Sequence, residues 1–104
     1  MATRVRVGEQ GDFPSGQVRV VDADGERVAV ANVDGTLYAF EDRCTHDDGP
    51  LGEGQLEGCQ VICPRHGARF DVRTGAVLRM PAVAPIGTYP LRLVDGGVEI
   101  ELED

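Results

Sequence analysis

Two Asp-Gly dipeptides, Asp24-Gly25 and Asp34-Gly35, constrain this chain more than any other feature. An Asp-Gly pair favours the two-residue hairpin loop, whose central residues need positive φ, so each pair reverses the chain between antiparallel strands. The runs around them, 17–22, 26–33 and 36–40, carry valine among polar residues and are too short for ordinary helices. Residues 3–7 add an earlier strand. After Leu93 the pattern returns: Asp95-Gly96-Gly97 turns the chain, and Val98, Ile100 and Leu102 alternate with Glu99, Glu101 and Glu103. Such alternation predicts one buried face and one acidic face in water.

The middle third reads differently. Residues 43–87 hold all three cysteines, both histidines, four of the prolines and seven of the glycines, with only brief strand signals at 59–62, 69–72 and 76–78. Thr74-Gly75 is the expected turn between the last two. No amphipathic helix of normal length, internal repeat or low-complexity tract interrupts the pattern. One all-β domain over residues 1–104 is expected, with 43–87 as a loop-built excursion on a sheet scaffold.

Composition narrows the function. A chain of 104 residues can bury one core, which excludes a multidomain catalyst. Its ten basic residues are all arginine, and against 18 carboxylates they leave a net charge of -8. That balance repels phosphate backbones and anionic lipid, so neither nucleic acid nor a membrane is an expected partner. No stretch approaches the roughly 20 apolar residues of a membrane helix, and the N-terminus lacks the apolar segment of a secretory signal, so a cytoplasmic location is expected. Three cysteines cannot all pair internally, and in a reducing compartment cysteines serve more often as ligands, catalysts or core fillers.

Cys44-Thr45-His46 and Cys63-Pro64-Arg65-His66 each set a thiol beside an imidazole, with 16 residues between His46 and Cys63. Two such pairs can aim four soft or borderline ligands at one metal centre. A cysteine nucleophile with a histidine base is a poorer reading, because one nucleophile does not need two equivalent pairs. Zinc accepts two cysteines and two histidines, yet structural zinc modules place a cysteine pair before a histidine pair. The mixed order favours iron and sulfide. In a Rieske [2Fe-2S] centre two cysteines hold one iron and two histidines the other, so each loop gives one ligand to each iron.

The segment CTHDDGPLGEGQLEGCQVICPRHGARFDVRTGAV resembles the cluster-binding region of Rieske-type ferredoxins, the electron carriers of multicomponent bacterial oxygenases. The resemblance extends over residues 36–104. It implies an all-β Rieske-type antiparallel β-sandwich, with a basal part over 1–42 and 88–104 and a cluster-binding part over 43–87. It implies that Cys44 and Cys63 bind one iron and His46 and His66 the other, with Gly49, Pro64 and Gly67 shaping the loops and residues 80–85 covering the cluster. It further implies a flavin-dependent ferredoxin reductase as electron donor and a terminal ring-hydroxylating oxygenase as acceptor, with no bond chemistry on a substrate. The small subunit of a nitrite reductase, or an accessory redox protein of iron-sulfur cluster assembly, is the alternative of similar fold.

Departures from the high-potential branch of the family sharpen the expectation. Gly49 and Arg65 stand where that branch has two further cysteines in a disulfide, and Ala68 and Phe70 where it has hydroxyl donors. Hydrogen bonds to cluster sulfur stabilise the more negative reduced state, so their loss predicts a low reduction potential. Asp47 and Asp48 act in the same direction if they lie close. Elsewhere, Cys59 reads as a buried filler, Asp71 and Arg73 as residues shaping a turn, Glu99 to Asp104 as a solvated acidic strand face, and Tyr38 and Phe40 as packing residues.

Overall fold

The computed structural model describes residues 2–44, 49–64, 67–80 and 84–103. Both Asp-Gly turns, and Asp95-Gly96 with them, close two-residue hairpins whose central residues have φ between 50° and 96°. Aspartate tolerates this region better than most residues, and glycine has no Cβ to oppose it. The hairpins join antiparallel strands throughout, as the expected all-β class requires.

A first sheet has the order β1 (Ala2–Glu9), β11 (Gly97–Glu103), β10 (Leu91–Val94). A second runs β2 (Val18–Ala23), β3 (Glu26–Val33), β4 (Thr36–Glu41), β9 (Thr88–Tyr89). A third contains β5 (Gln55–Glu57), β6 (Gln60–Ile62), β7 (Arg69–Asp71) and β8 (Val77–Arg79) in sequence order. Among the described residues the helical structure is one 3-10 turn, Gln10–Asp12.

The second sheet lies between two apolar cores, and β3 is buried on both faces. Val28 and Val30 pack with Leu37, Ala39, Val98 and Ile100 toward the first sheet. Ala29 and Ala31 face the other way, into a core with Phe40, Val61 and Phe70. Period-2 alternation here separates valine from alanine, because a central strand has no solvent face. The alanines leave room for large side chains on the third-sheet side. Phe40 is fully buried there and Tyr38 packs against the same core, as expected of both. Asn32, on β3, donates from Nδ2 to the Phe13 carbonyl at 2.6 Å and accepts Gly35 N–H at 2.7 Å, fixing the 3-10 segment to the β3–β4 hairpin.

Three expectations change. The face bearing Glu99 and Glu101 is not purely acidic: the register sets Arg6 and Arg92 opposite Glu99 and Arg4 opposite Glu101, so opposite charges alternate across the strands. Cys59 lies in the turn between β5 and β6, only partly buried, rather than within a strand as a core filler. Strands β5 and β9 were not expected from the sequence. Leu56 is the lone apolar residue of β5, and β9 is two residues long before Pro90, which lacks the N–H a strand needs. No helix among the described residues is long and apolar enough to cross a membrane.

Candidate metal centre

Cys44 and Cys63 begin two loops closed by the same backbone hydrogen bond. Cys44 N–H donates to Gly49 C=O at 2.8 Å, and Cys63 N–H to Ala68 C=O at 2.8 Å. In each the acceptor lies five residues after the cysteine, so each loop returns to the backbone of its own starting cysteine. Gly67, with φ 75°, donates to the Cys63 carbonyl at 3.1 Å and tightens the second loop. Loop one brackets His46, with Thr45, Asp47 and Asp48; loop two brackets His66 and Arg65. Those six residues lie outside the described residues, as do 81–83 of the expected cover.

The two loops bring their thiols into one apolar core. Cys44 is fully buried and Cys63 is 2% exposed, and both pack with Leu51, Val61, Ala68, Phe70, Val72 and Ile86. None of the three cysteines forms a disulfide. Two buried thiols on equivalent loops are a donor set that suits a soft or borderline metal, and the burial keeps bulk water from them. Ala68 and Phe70 are fully buried in the same core and bring no hydroxyl to it.

Behind each loop, side chains grip backbone. Glu41, the last residue of β4, donates its own N–H to Gly87 C=O at 2.9 Å and accepts Gly87 N–H on Oε1 at 2.7 Å. Asp42 has a side chain 1% exposed; Oδ1 accepts Gly52 N–H at 2.6 Å and Oδ2 pairs with Arg27 at 3.0 Å. Gly52 is packed so tightly that a side chain there would collide with Val20. Gly75, with φ 83°, accepts Ile86 N–H at 2.9 Å, and its Cα faces the Ile86 carbonyl with no room for a Cβ. These contacts hold the strand entering loop one, the chain leaving it, and the return from the 80–85 segment in one frame.

Asp71 and Arg73 shape the β7–β8 turn, as expected. Arg73 donates from its backbone N–H to Oδ1 at 2.8 Å, and its guanidinium spans both carboxylate oxygens at 3.1 and 2.9 Å. That hydrogen bonding holds the Asp71 carboxyl below the usual carboxylate range. Of the expected cover, Met80 is 74% exposed while Ile86, just beyond it, returns to the core.

Sequence reasoning found the two cysteine loops, missed Glu41, Asp42 and Gly52 that frame them, and read Gly75 only as a turn residue. Their one signal was the acidic pair one residue ahead of the first ligand motif, and acidic residues at a strand end ordinarily read as solvated.

The family model for the Rieske [2Fe-2S] domain matches residues 3–90. The ferredoxin component of the naphthalene 1,2-dioxygenase/salicylate 5-hydroxylase systems of a Ralstonia species is 38% identical over 92 residues, covering 88% of each chain. A ferredoxin of Sphingomonas yanoikuyae superposes with a TM-score of 0.91 at 33% identity, covering 97% of this chain and 100% of that one. A chain in a complex of reduced oxygenase and oxidised ferredoxin of carbazole 1,9a-dioxygenase superposes with a TM-score of 0.88 at 35% identity, covering 93% and 91%.

Proposed function

This chain belongs to the Rieske [2Fe-2S] domain family, and from that premise we propose that it is the ferredoxin component of a ring-hydroxylating dioxygenase system. Its cofactor is one Rieske [2Fe-2S] cluster, which supplies reversible one-electron chemistry. In this reading a flavin-dependent reductase delivers single electrons and a terminal oxygenase takes them, and the chain performs no bond chemistry of its own. Cys44 and Cys63 hold one iron, and His46 and His66 the other. Residues 43–87 form the cluster-binding part of a single domain, on a basal part of 1–42 and 88–104. The cytoplasm, where thiols stay reduced, suits such a site.

The observation that carries the reading is the pair of equivalent loops, each with a buried thiol at its start and a histidine within it. A complete mixed ligand set, and likeness to ferredoxin components over nearly the whole of both chains, favour an electron carrier over a nitrite reductase small subunit or a cluster-assembly accessory. Chemically, the chain's task is positional. The closed loops fix the thiols, and the surrounding aliphatic and aromatic side chains exclude water. Without hydroxyls on residues 68 and 70, the potential lies toward the lower end of the Rieske range of roughly -150 to +300 mV.

The test is cluster content and electron flow. The purified chain should be brown, carry iron and acid-labile sulfide in equal amounts, and pass electrons from a ferredoxin reductase to a ring-hydroxylating oxygenase. Changing His66 to Ala should abolish the chromophore, because it removes an iron ligand, while Cys59→Ala should leave it intact. A colourless protein containing zinc, or a cluster lost in the Cys59 variant, would overturn the assignment.

A further inference from the structure

Glu41 and Asp42 are adjacent carboxylates at the end of β4, and the structure gives them parallel tasks. Each accepts the N–H of a glycine that directly follows a buried aliphatic residue: Glu41 takes Gly87, after Ile86, and Asp42 takes Gly52, after Leu51. Ile86 is 4% exposed and Leu51 fully buried, and both stand in the apolar core that contains Cys44 and Cys63. The hydrogen bonds, at 2.7 and 2.6 Å, have the short lengths of charge-assisted contacts. Each grip is reinforced. Glu41 also binds Gly87 through its backbone, and Asp42 is held from behind by Arg27.

Ile86 and Leu51 arrive from different parts of the chain, one from the stretch before β9 and the other from the end of loop one. The third sheet holds neither within its ladders. Backbone hydrogen bonds tie Ile86 to Gly75 and Leu51 to Gly54 separately, and the strand end that leads into Cys44 is what links the two to each other. Gly52 fits this role in a second way: a side chain there would collide with Val20, so the close approach to Asp42 requires glycine.

We propose that Glu41 and Asp42 are positioning residues for the cluster, acting through Gly87 and Gly52 to fix Ile86 and Leu51 as walls of its apolar pocket. This rests on the Rieske reading above. Outer groups that fix the surroundings of a metal centre tune its potential through water access and local polarity. When a wall loosens, water enters and stabilises the more negative reduced form, so the midpoint rises.

A crossed pair of variants separates geometry from charge. Glu41→Gln keeps an oxygen acceptor at the same reach and removes the charge; Glu41→Asp keeps the charge and falls short of Gly87. The holoproteins are compared by voltammetry, by the electron paramagnetic resonance spectrum of the reduced state, and by iron loss to a chelator. Glu41→Asp should raise the midpoint, alter the spectrum and release iron about 10-fold faster. Glu41→Gln should stay close to wild type on all three, whereas Asp42→Glu, which keeps the charge but is too long for its buried place between Gly52 and Arg27, should shift as Glu41→Asp does. A midpoint that moves in Glu41→Gln and not in Glu41→Asp would show a through-space charge effect and overturn the proposal. So would potentials and spectra unchanged in all variants with only thermal stability lowered. A wild-type protein without a Rieske spectrum would instead sink the functional reading beneath it.

Discussion

The basal sheets and the cluster-bearing region are held together by different physics. In the first two sheets, strands of six to eight residues (β1 to β4) pair along nearly their whole length, and a valine-rich core lies between the layers. In the region from Asp42 to Gly87, strands are three residues long, and order comes from single contacts: a carboxylate on a glycine amide, a glycine pressed on a carbonyl, a loop returning to its own cysteine. The first kind of order is spread over many residues, and losing one costs little of it. The second is concentrated, so a few atoms carry each junction, and the bound cluster would tie the two loops together as a further junction. A redox site gains from this because its ligands are fixed by rigid local contacts rather than by long regular elements.

Removing the cluster is the most severe way to test that division. Iron chelation, or Cys63→Ala, should increase amide hydrogen exchange across residues 49–80 while β1, β3 and β11 stay protected. Exchange that rises equally in all three sheets would mean that the two regions form one cooperative unit.

Glycine substitutions test the same contrast at single residues. Gly25 and Gly75 have nearly the same backbone, φ 89° and 83°, but Gly25 looks onto open space while Gly75 faces the Ile86 backbone. Alanine at Gly25 should cost about 1 kcal/mol, the penalty of the left-handed conformation alone. Alanine at Gly75 adds a collision and should cost roughly 2–4 kcal/mol. Denaturant midpoints of both variants decide it, and equal losses would show that the Ile86 backbone moves aside freely.

This contrast also explains what the sequence disclosed. The hairpins at Asp24-Gly25, Asp34-Gly35 and Asp95-Gly96 were legible because one dipeptide specifies both turn and register. The cysteine loops stood out because cysteine and histidine at short spacing suit metal ligation, and the structure closes both loops and buries both thiols. Strand β5 was not legible, since Leu56 alone marks a buried face, and its place is fixed by pairing with β6. Glu41 and Asp42 were not, because a carboxylate that grips an amide 46 or 10 residues away has the same local sequence as one in water. The acidic alternation of β11 told only part of the story for a related reason: the arginines opposite its glutamates lie on β1 and β10, and only the register shows them.

A smaller effect is expected within the cysteine core itself. Ala68 is fully buried and its carbonyl already closes loop two, so Ala68→Ser introduces a hydroxyl without moving the chain if the core admits one more oxygen. By supplying a donor near cluster sulfur it should raise the midpoint potential, and Phe70→Tyr should do the same. A downward shift with the cluster intact would remove the hydrogen-bond argument for a low potential.

The smallest effect belongs to the Asp71–Arg73 pair, which ends β7 and lies on the partly exposed side of the third sheet. Hydrogen bonds from Arg73 hold the Asp71 carboxyl below its usual range. A carboxylate whose folded-state value is depressed contributes stability above its unfolded value and loses that contribution as pH falls through the folded one. Asp71→Asn should therefore be less stable than wild type by a constant margin from pH 7 to about pH 5, and the margin should narrow below about pH 4. Arg73 is 52% exposed, so water and salt screen the pair, and the margin should also shrink as salt is added. Comparing variant with wild type at each pH cancels the acid lability of the cluster, which is common to both. A margin that stayed the same at every pH and salt concentration would assign the role of Asp71 to the backbone hydrogen bond of its turn rather than to its charge.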